Sequence, residues 1–340
     1  MPRIRIALLS LLLLSPSLCG QLRPGVAVRQ RLDDLFRGGP MPARVEWNGS
    51  IVDVAELTQK STALGGEPEL HDRELLILAA LTEELRRSRQ LPSDAELDEA
   101  FETYRQPYDS TPFTVAVVAT KFKGYPSREA FVQRWRVMHA FTRTLGQIDR
   151  KVLQDEADAQ RAFFGDGLIQ AELWFFSARK DAEGPWDFAA AEARAQRALA
   201  DLRAGKDEAE VRRDSDEIGQ AAPPPRGAPL PAVPAPGARG QPYNQLRTRM
   251  GESEYTDLIL GASAADAVWQ QAKVGELTGP LRGVRGYWLA RVGSRSQGRE
   301  VKVADNRIEE LVREVYVQRR FREWAGQVLE RTVLRVPKTQ

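Results

Sequence analysis

The side chains best suited to chemistry in this 340-residue chain are two histidines, His71 and His139, and one cysteine, Cys19. A serine or cysteine nucleophile needs a nearby base, and no catalytic motif surrounds either histidine. The acidic residues follow the solvent faces of predicted helices and therefore do not indicate paired-carboxylate catalysis. A phosphate-binding loop, a dinucleotide fingerprint and zinc-ligand spacing are also missing from the sequence. We therefore predict no cofactor and no metal ion.

Composition limits the remaining classes of function. The 49 basic and 47 acidic residues give a net charge of +2, and the two signs are interspersed, which argues against a nucleic-acid partner. Hydrophobic residues make up 42% of the chain, enough for a packed core, and the length suits about two domains. A lone cysteine excludes an internal disulfide.

Residues 1–20 have the pattern of an export signal. Arg3 and Arg5 precede an apolar run at residues 6–14, and small residues follow near Cys19. The run is too short to span a membrane, so we expect cleavage and a periplasmic or otherwise exported protein. The alternative is that Cys19 becomes the lipid-bearing first residue of a lipoprotein, although Leu18 stands where that signal favours Ala or Gly.

Helices with apolar stripes dominate residues 45–160. The segment begins with a predicted hairpin at residues 45–52, turning at Asn48-Gly49. A leucine-rich helix is predicted for residues 70–89, and Ser93 opens the next helix with a capping box to Glu96. Another helix follows Ser127. The stripe of the long C-terminal helix, residues 303–329, changes phase, which predicts either a kink near Arg319 or contacts with two neighbours.

Residues 166–296 combine strands with helices. Alternating apolar residues predict a strand at 169–177, and a helix with one apolar face follows. Residues 274–292 contain two short strand patterns separated by glycines, which predicts a closing hairpin.

This closing hairpin, with its Gly275-Glu-Leu-Thr-Gly-Pro280 segment and Gly286-Tyr-Trp-Leu289, resembles the end of a parvulin-type (PpiC-like) peptidyl-prolyl cis-trans isomerase domain. The resemblance implies a substrate groove with two cross-strand histidines and a nearby Cys or Asp. Those histidine positions are occupied here by Leu173 and Trp288, and the third falls near Glu217. The sequence also departs from the family through a Pro-rich insert at residues 222–242. We therefore predict no catalytic residue at these positions.

The preceding helices, with their Leu91-Pro-Ser-Asp-Ala-Glu-Leu97 and Tyr125-Pro-Ser-Arg-Glu-Ala-Phe131 segments, resemble the N-terminal module of SurA-like periplasmic chaperones. In that family a C-terminal helix and strand complete the module. The resemblance thus implies an α+β protein in which a helical module, residues 45–160 and 297–340, carries an inserted parvulin-like domain at residues 166–296.

The expected function is that of a holdase for unfolded or partly folded exported polypeptides. Trp174, Phe176 and Trp288 are the predicted peptide-binding residues, because they lie on strands bordering the family's groove. The alternatives are an active prolyl isomerase with an altered site and an assembly partner dedicated to one client. The sequence does not indicate the client, the oligomeric state or whether Cys19 attaches the protein to a membrane.

Overall fold

The computed structural model describes residues 44–48, 50–53, 56, 59–60, 62–63, 68–109, 111–179, 186–216, 240–261, 263–304, 306–332 and 334–335. The predicted signal at 1–20, Glu217 and the Pro-rich insert up to residue 239 lie outside these ranges. Helices combine with small antiparallel sheets, so the predicted α+β class is confirmed. Within the described ranges, no helix has the length and apolar character needed to cross a membrane.

Six helices, a π-helical turn and a long C-terminal helix make up what we call the helical part. They are α1 (Pro68–Arg87), α2 (Asp94–Asp109), α3 (Val115–Val117), the π-helical turn Val118–Phe122, α4 (Arg128–Leu145), α5 (Arg150–Ala159), α6 (Arg161–Phe164) and, after the sheet described below, α12 (Asn306–Arg331). The predicted capping box is present: the Ser93 N–H donates to Glu96 Oε2 at 2.8 Å, and the Glu96 N–H donates to Ser93 Oγ at 3.3 Å. Ser127 caps α4 through its side-chain hydroxyl, which accepts from the Ala130 N–H at 3.1 Å.

A three-stranded sheet joins the two ends of the described chain. Strands β1 (Arg44–Trp47) and β2 (Ser50–Asp53) form the predicted hairpin, with Asn48 in the left-handed region at φ 48°. The short strand β6 (Leu334–Arg335) pairs with β1 in the antiparallel direction, as expected for the C-terminal strand.

The C-terminal helix α12 contacts two separate apolar clusters, which accounts for its phase change. Val312 packs with Leu153 of α5, whereas Phe321 and Leu329 are buried against α1 and α4. The helix continues unbroken from Asn306 to Arg331, so of the two predicted alternatives the contact with two neighbours is the one observed.

A second sheet, with order β3-β5-β4, forms what we call the sheet part. Its strands are β3 (Ile169–Ser177), β4 (Leu277–Arg282) and β5 (Gly286–Arg295), and two helices, α7 (Phe188–Arg203) and α8 (Glu208–Asp214), follow β3. Both pairings are antiparallel. The strand, helix and closing hairpin thus occur in the order that the parvulin resemblance implies.

Residues 240–272 form what we call the bridging segment. It contains α9 (Tyr243–Arg249), α10 (Glu254–Leu260), α11 (Ala264–Asp266) and the π-helical turn Ala267–Gln271. One side of this segment packs on the second sheet, through Leu246 and Trp269. From α10, Tyr255 packs in an apolar cluster of the helical part with Phe131. The division into a helical module and an inserted domain at 166–296 stays a prediction, and α10 joins the two sides.

Candidate functional site

Leu173 and Trp288, which stand where the parvulin resemblance implies histidines, lie on one face of the second sheet. Neither side chain can transfer a proton. Leu173 is fully buried and Trp288 is 5% exposed; the two belong to one apolar cluster, covered by the bridging segment. The Phe175 and Trp288 rings lie 4.5 Å apart between centroids. The backbone of Gly283 lies so close to the indole that an added Cβ would be 2.9 Å from Trp288 Nε1. This face therefore offers apolar surface and no general acid or base.

Trp174 and Phe176 point to the opposite face of the sheet. Both are buried beneath α7, in a cluster with Leu199 and Leu202. A peptide would have to displace α7 to reach either ring, so their position gives no support to the predicted peptide-binding role. Of the three predicted aromatic residues, only Trp288 lies on the face that carries the family's histidine positions.

Neither histidine belongs to these strands or to the apolar cluster around Leu173 and Trp288. His71 is fully buried in the helical part, with its Nδ1 3.3 Å from the Tyr255 hydroxyl and 3.5 Å from Glu74 Oε2. His139 stacks on Trp135 at 4.7 Å between ring centroids. Burial, and then the nearby Arg143, lower the pKa of His139. Both side chains therefore serve the packing of the helical part.

A cleft of about 990 Å³ lies between the helical part and the bridging segment. We call it the central cleft. The turn Val118–Phe122 and α12 line its helical side, and α9 and α10 contribute to the other side. The Tyr255 N–H donates to the Lys123 carbonyl at 3.2 Å, and this hydrogen bond joins α10 to the residue that follows the turn Val118–Phe122. This volume is within the range of about 300–1,000 Å³ typical of ligand sites.

An exposed aromatic ring lies at the open side, or mouth, of the central cleft, and a second exposed ring contacts it. Phe122 lines the cleft and is 66% exposed, while Phe113 is 53% exposed and meets Phe122 edge to face with 5.8 Å between ring centroids. We call them the aromatic pair. Large aromatic side chains are usually buried, so two exposed rings in contact form an apolar surface patch beside the cleft.

Amide side chains also line the cleft. Asn244, Gln270 and Gln327 are exposed, and none of their side-chain amides has a hydrogen-bond partner within the described residues. Each carries both a donor and an acceptor, the two kinds of group that a peptide backbone presents. The cleft therefore combines apolar contact at its mouth with backbone-compatible polar groups in its lining.

Buried carboxylates stabilise the wall formed by the bridging segment. Glu252 Oε1 accepts from the Ala264 N–H at 2.7 Å, and Glu252 Oε2 accepts from the Ser263 hydroxyl. Burial raises the pKa of Glu252 to about 7. Asp257 pairs with Arg247, and burial raises the pKa of Asp257 while Arg247 opposes that shift. In the described part of the chain, no group of three or more His, Cys, Asp or Glu side chains is arranged to hold a metal ion.

Sequence reasoning missed the aromatic pair. Phe113 follows Thr111-Pro112, and Phe122 lies three residues after the apolar run 115–119, so nothing in their spacing distinguished them from core residues. The signal that could have found them is the large aromatic at Phe113, placed in a turn segment between two helices.

Comparisons with known proteins found a weak structural likeness. No protein-family model and no curated protein matches the sequence. Among solved structures, the peptidylprolyl isomerase PrsA from Bacillus anthracis matches with 11% sequence identity and a TM-score of 0.22, over 75% of this chain and 94% of that one. A likeness of this strength supports no conclusion about fold or function.

Proposed function

We propose that the protein is a holdase that binds unfolded or partly folded polypeptide segments in the central cleft. The observation that carries the proposal is the aromatic pair at the cleft mouth, where Phe113 and Phe122 are 53% and 66% exposed. A client's apolar side chain can pack on these rings, and the cleft's amide side chains can bind its backbone. The export pattern at residues 1–20 extends the proposal to exported clients outside the cytoplasm.

The alternative activity, prolyl isomerisation, has less support. Twisting an X-Pro amide requires polar groups placed to stabilise it, and Leu173 and Trp288 occupy the positions where the parvulin family has histidines. A protease-coupled assay on an Ala-Pro peptide separates the two functions. Acceleration that disappears in Trp288→Ala would replace the holdase proposal with an isomerase that uses an altered site.

The test of the holdase proposal is a comparison of three variants. Phe113→Ser, Phe122→Ser and the double variant are assayed for binding of a fluorescent unfolded peptide by anisotropy. They are also assayed for suppression of aggregation of a denatured reference protein by light scattering. Burying one phenylalanine contributes about 1.5–3 kcal/mol, so we expect the double variant to bind at least about tenfold more weakly.

Val274→Ser is the matched control, because Val274 is 56% exposed and does not line the central cleft. It should bind as the unaltered protein does. Equal binding by all of these variants would refute the proposal. Identification of the captured envelope polypeptides then separates a general holdase, which retains many clients, from a partner dedicated to one.

A further inference from the structure

The acidic groups of the central cleft are already engaged within the protein. Each lining carboxylate has a cation or a backbone N–H as partner. The partnerships are Glu254 with Lys123 at 2.8 Å, Asp266 with Arg322 at 3.4 Å, Glu323 with Arg320 at 2.8 Å, Asp257 with Arg247, and Glu252 with the Ala264 N–H at 2.7 Å. A basic client side chain would therefore have to displace an existing partner to reach any of these carboxylates.

The cationic side chains that line the cleft differ in whether they are ion-paired. Lys123, Arg247, Arg319 and Arg322 each lie in an ion pair. Lys121 is exposed, lines the cleft and has no ion-pair or hydrogen-bond partner for its ammonium among the described residues. It immediately precedes Phe122 in the turn Val118–Phe122, and both side chains line the central cleft.

We propose, on the basis of the function proposed above, that the cleft mouth selects client segments in which an aromatic or large aliphatic side chain lies next to Asp or Glu. The apolar side chain packs on the aromatic pair and the carboxylate pairs with the Lys121 ammonium. A client segment with a basic side chain at that position would be repelled by the like charge of the Lys121 ammonium. The Lys121 ammonium is exposed, so its ion pair with the client's carboxylate is screened by solvent. The preference for acidic segments is therefore modest and depends on salt.

The test uses three fluorescent peptides that differ at one position beside a phenylalanine, where they carry Asp, Asn or Lys. Dissociation constants are measured by anisotropy at low and high salt. We expect the Asp peptide to bind about two- to fivefold more tightly than the Asn peptide, and the Lys peptide to bind most weakly. The differences should shrink at 0.5 M salt, where screening is strong.

Lys121→Glu should reverse the order of the three peptides, and Lys121→Gln should abolish it. Lys206→Glu is the control, because it changes the net charge equally and Lys206 does not line the cleft; it should keep the original order. Thermal melting and circular dichroism confirm that the variants are folded.

The outcomes distinguish this inference from the proposed function. Equal binding of the three peptides by the unaltered protein, with the Asn peptide still bound more weakly by the double variant of Phe113 and Phe122, would overturn the acidic preference and leave the holdase proposal standing. An unchanged order in Lys121→Glu would overturn it as well. Failure of the Asn peptide to bind the unaltered protein would refute both.

Discussion

Glu252 is a carboxylate buried in the wall of the central cleft, and its protonation is coupled to stability. Burial raises the pKa of Glu252 from 4.5 to about 7 in the folded protein. Between these values the folded protein keeps a proton that the unfolded chain has released. Raising the pH through this window therefore lowers the free energy of unfolding, by about 2–3 kcal/mol from this group.

Glu252→Gln should remove this pH dependence. From pH 5 to pH 8, we expect the free energy of unfolding of the unaltered protein to fall by about 2–3 kcal/mol more than that of the variant. Urea unfolding monitored by tryptophan fluorescence measures both values. Glu276→Gln is the control, since the Glu276 side chain is 63% exposed and should leave the pH profile unchanged. Parallel profiles for the unaltered protein and Glu252→Gln would show that Glu252 is not the titrating group.

At the scale of elements, α10 holds the bridging segment against the helical part. Arg134 donates to the Glu254 carbonyl, and the Lys123 ammonium lies between Glu254 and Glu314 at 2.8 and 3.0 Å. Gly124 follows this lysine with φ +75°, and a Cβ added there would be 2.6 Å from the Ser253 side chain. The close approach of these two loops depends on a residue without a side chain.

Gly124→Ala should therefore destabilise the contact between α10 and the helical part. A positive φ costs alanine about 1 kcal/mol, and the clash with Ser253 adds to this. Gly146→Ala is the matched control, because Gly146 has φ +63° and nothing within 4 Å of an added Cβ. Hydrogen exchange across residues 253–260 should increase in Gly124→Ala only. An equal loss of stability in both variants would mean that backbone strain alone accounts for the change.

At the scale of the whole molecule, the C-terminal helix α12 packs on helices from the first half of the chain. Phe321, Ala325 and Leu329 are fully buried in the cluster formed with α1 and α4. The Arg319 guanidinium binds Glu156 of α5, with 2.6 Å between Nη2 and Oε2. The helical part therefore depends on residues that follow the sheet part in sequence.

A chain ending at residue 304 should lose the fold of the helical part. Each large apolar side chain of α12 contributes about 1.5–3 kcal/mol by burial, and whole domains are stable by only about 5–15 kcal/mol. Removing residues 333–340 is the control, since of the described residues it deletes only β6 and should cost less than about 2 kcal/mol. Thermal melting and solubility compare the two chains. Cooperative unfolding of the chain ending at 304, with an unchanged melting temperature, would contradict this account.

The sequence by itself determined the local elements of secondary structure and the absence of histidines from the strands of the second sheet. Asn48 in a two-residue turn, the Ser93–Glu96 capping box and the alternating strand Ile169–Ser177 each depend on contacts over a few residues, which a pattern records directly. The absence of histidine at Leu173 and Trp288 could likewise be read without coordinates, because it follows from residue identity alone.

Only the tertiary structure decided which side chains meet and which remain exposed. The sequence predicted that Trp174 and Trp288 border one groove, and only the register of the strands showed that they lie on opposite faces of the sheet, each covered by different helices. The central cleft is formed by segments as distant in sequence as Phe122, Asn244 and Gln327. Exposure of the aromatic pair is a property of packing between such segments, and no local period encodes it.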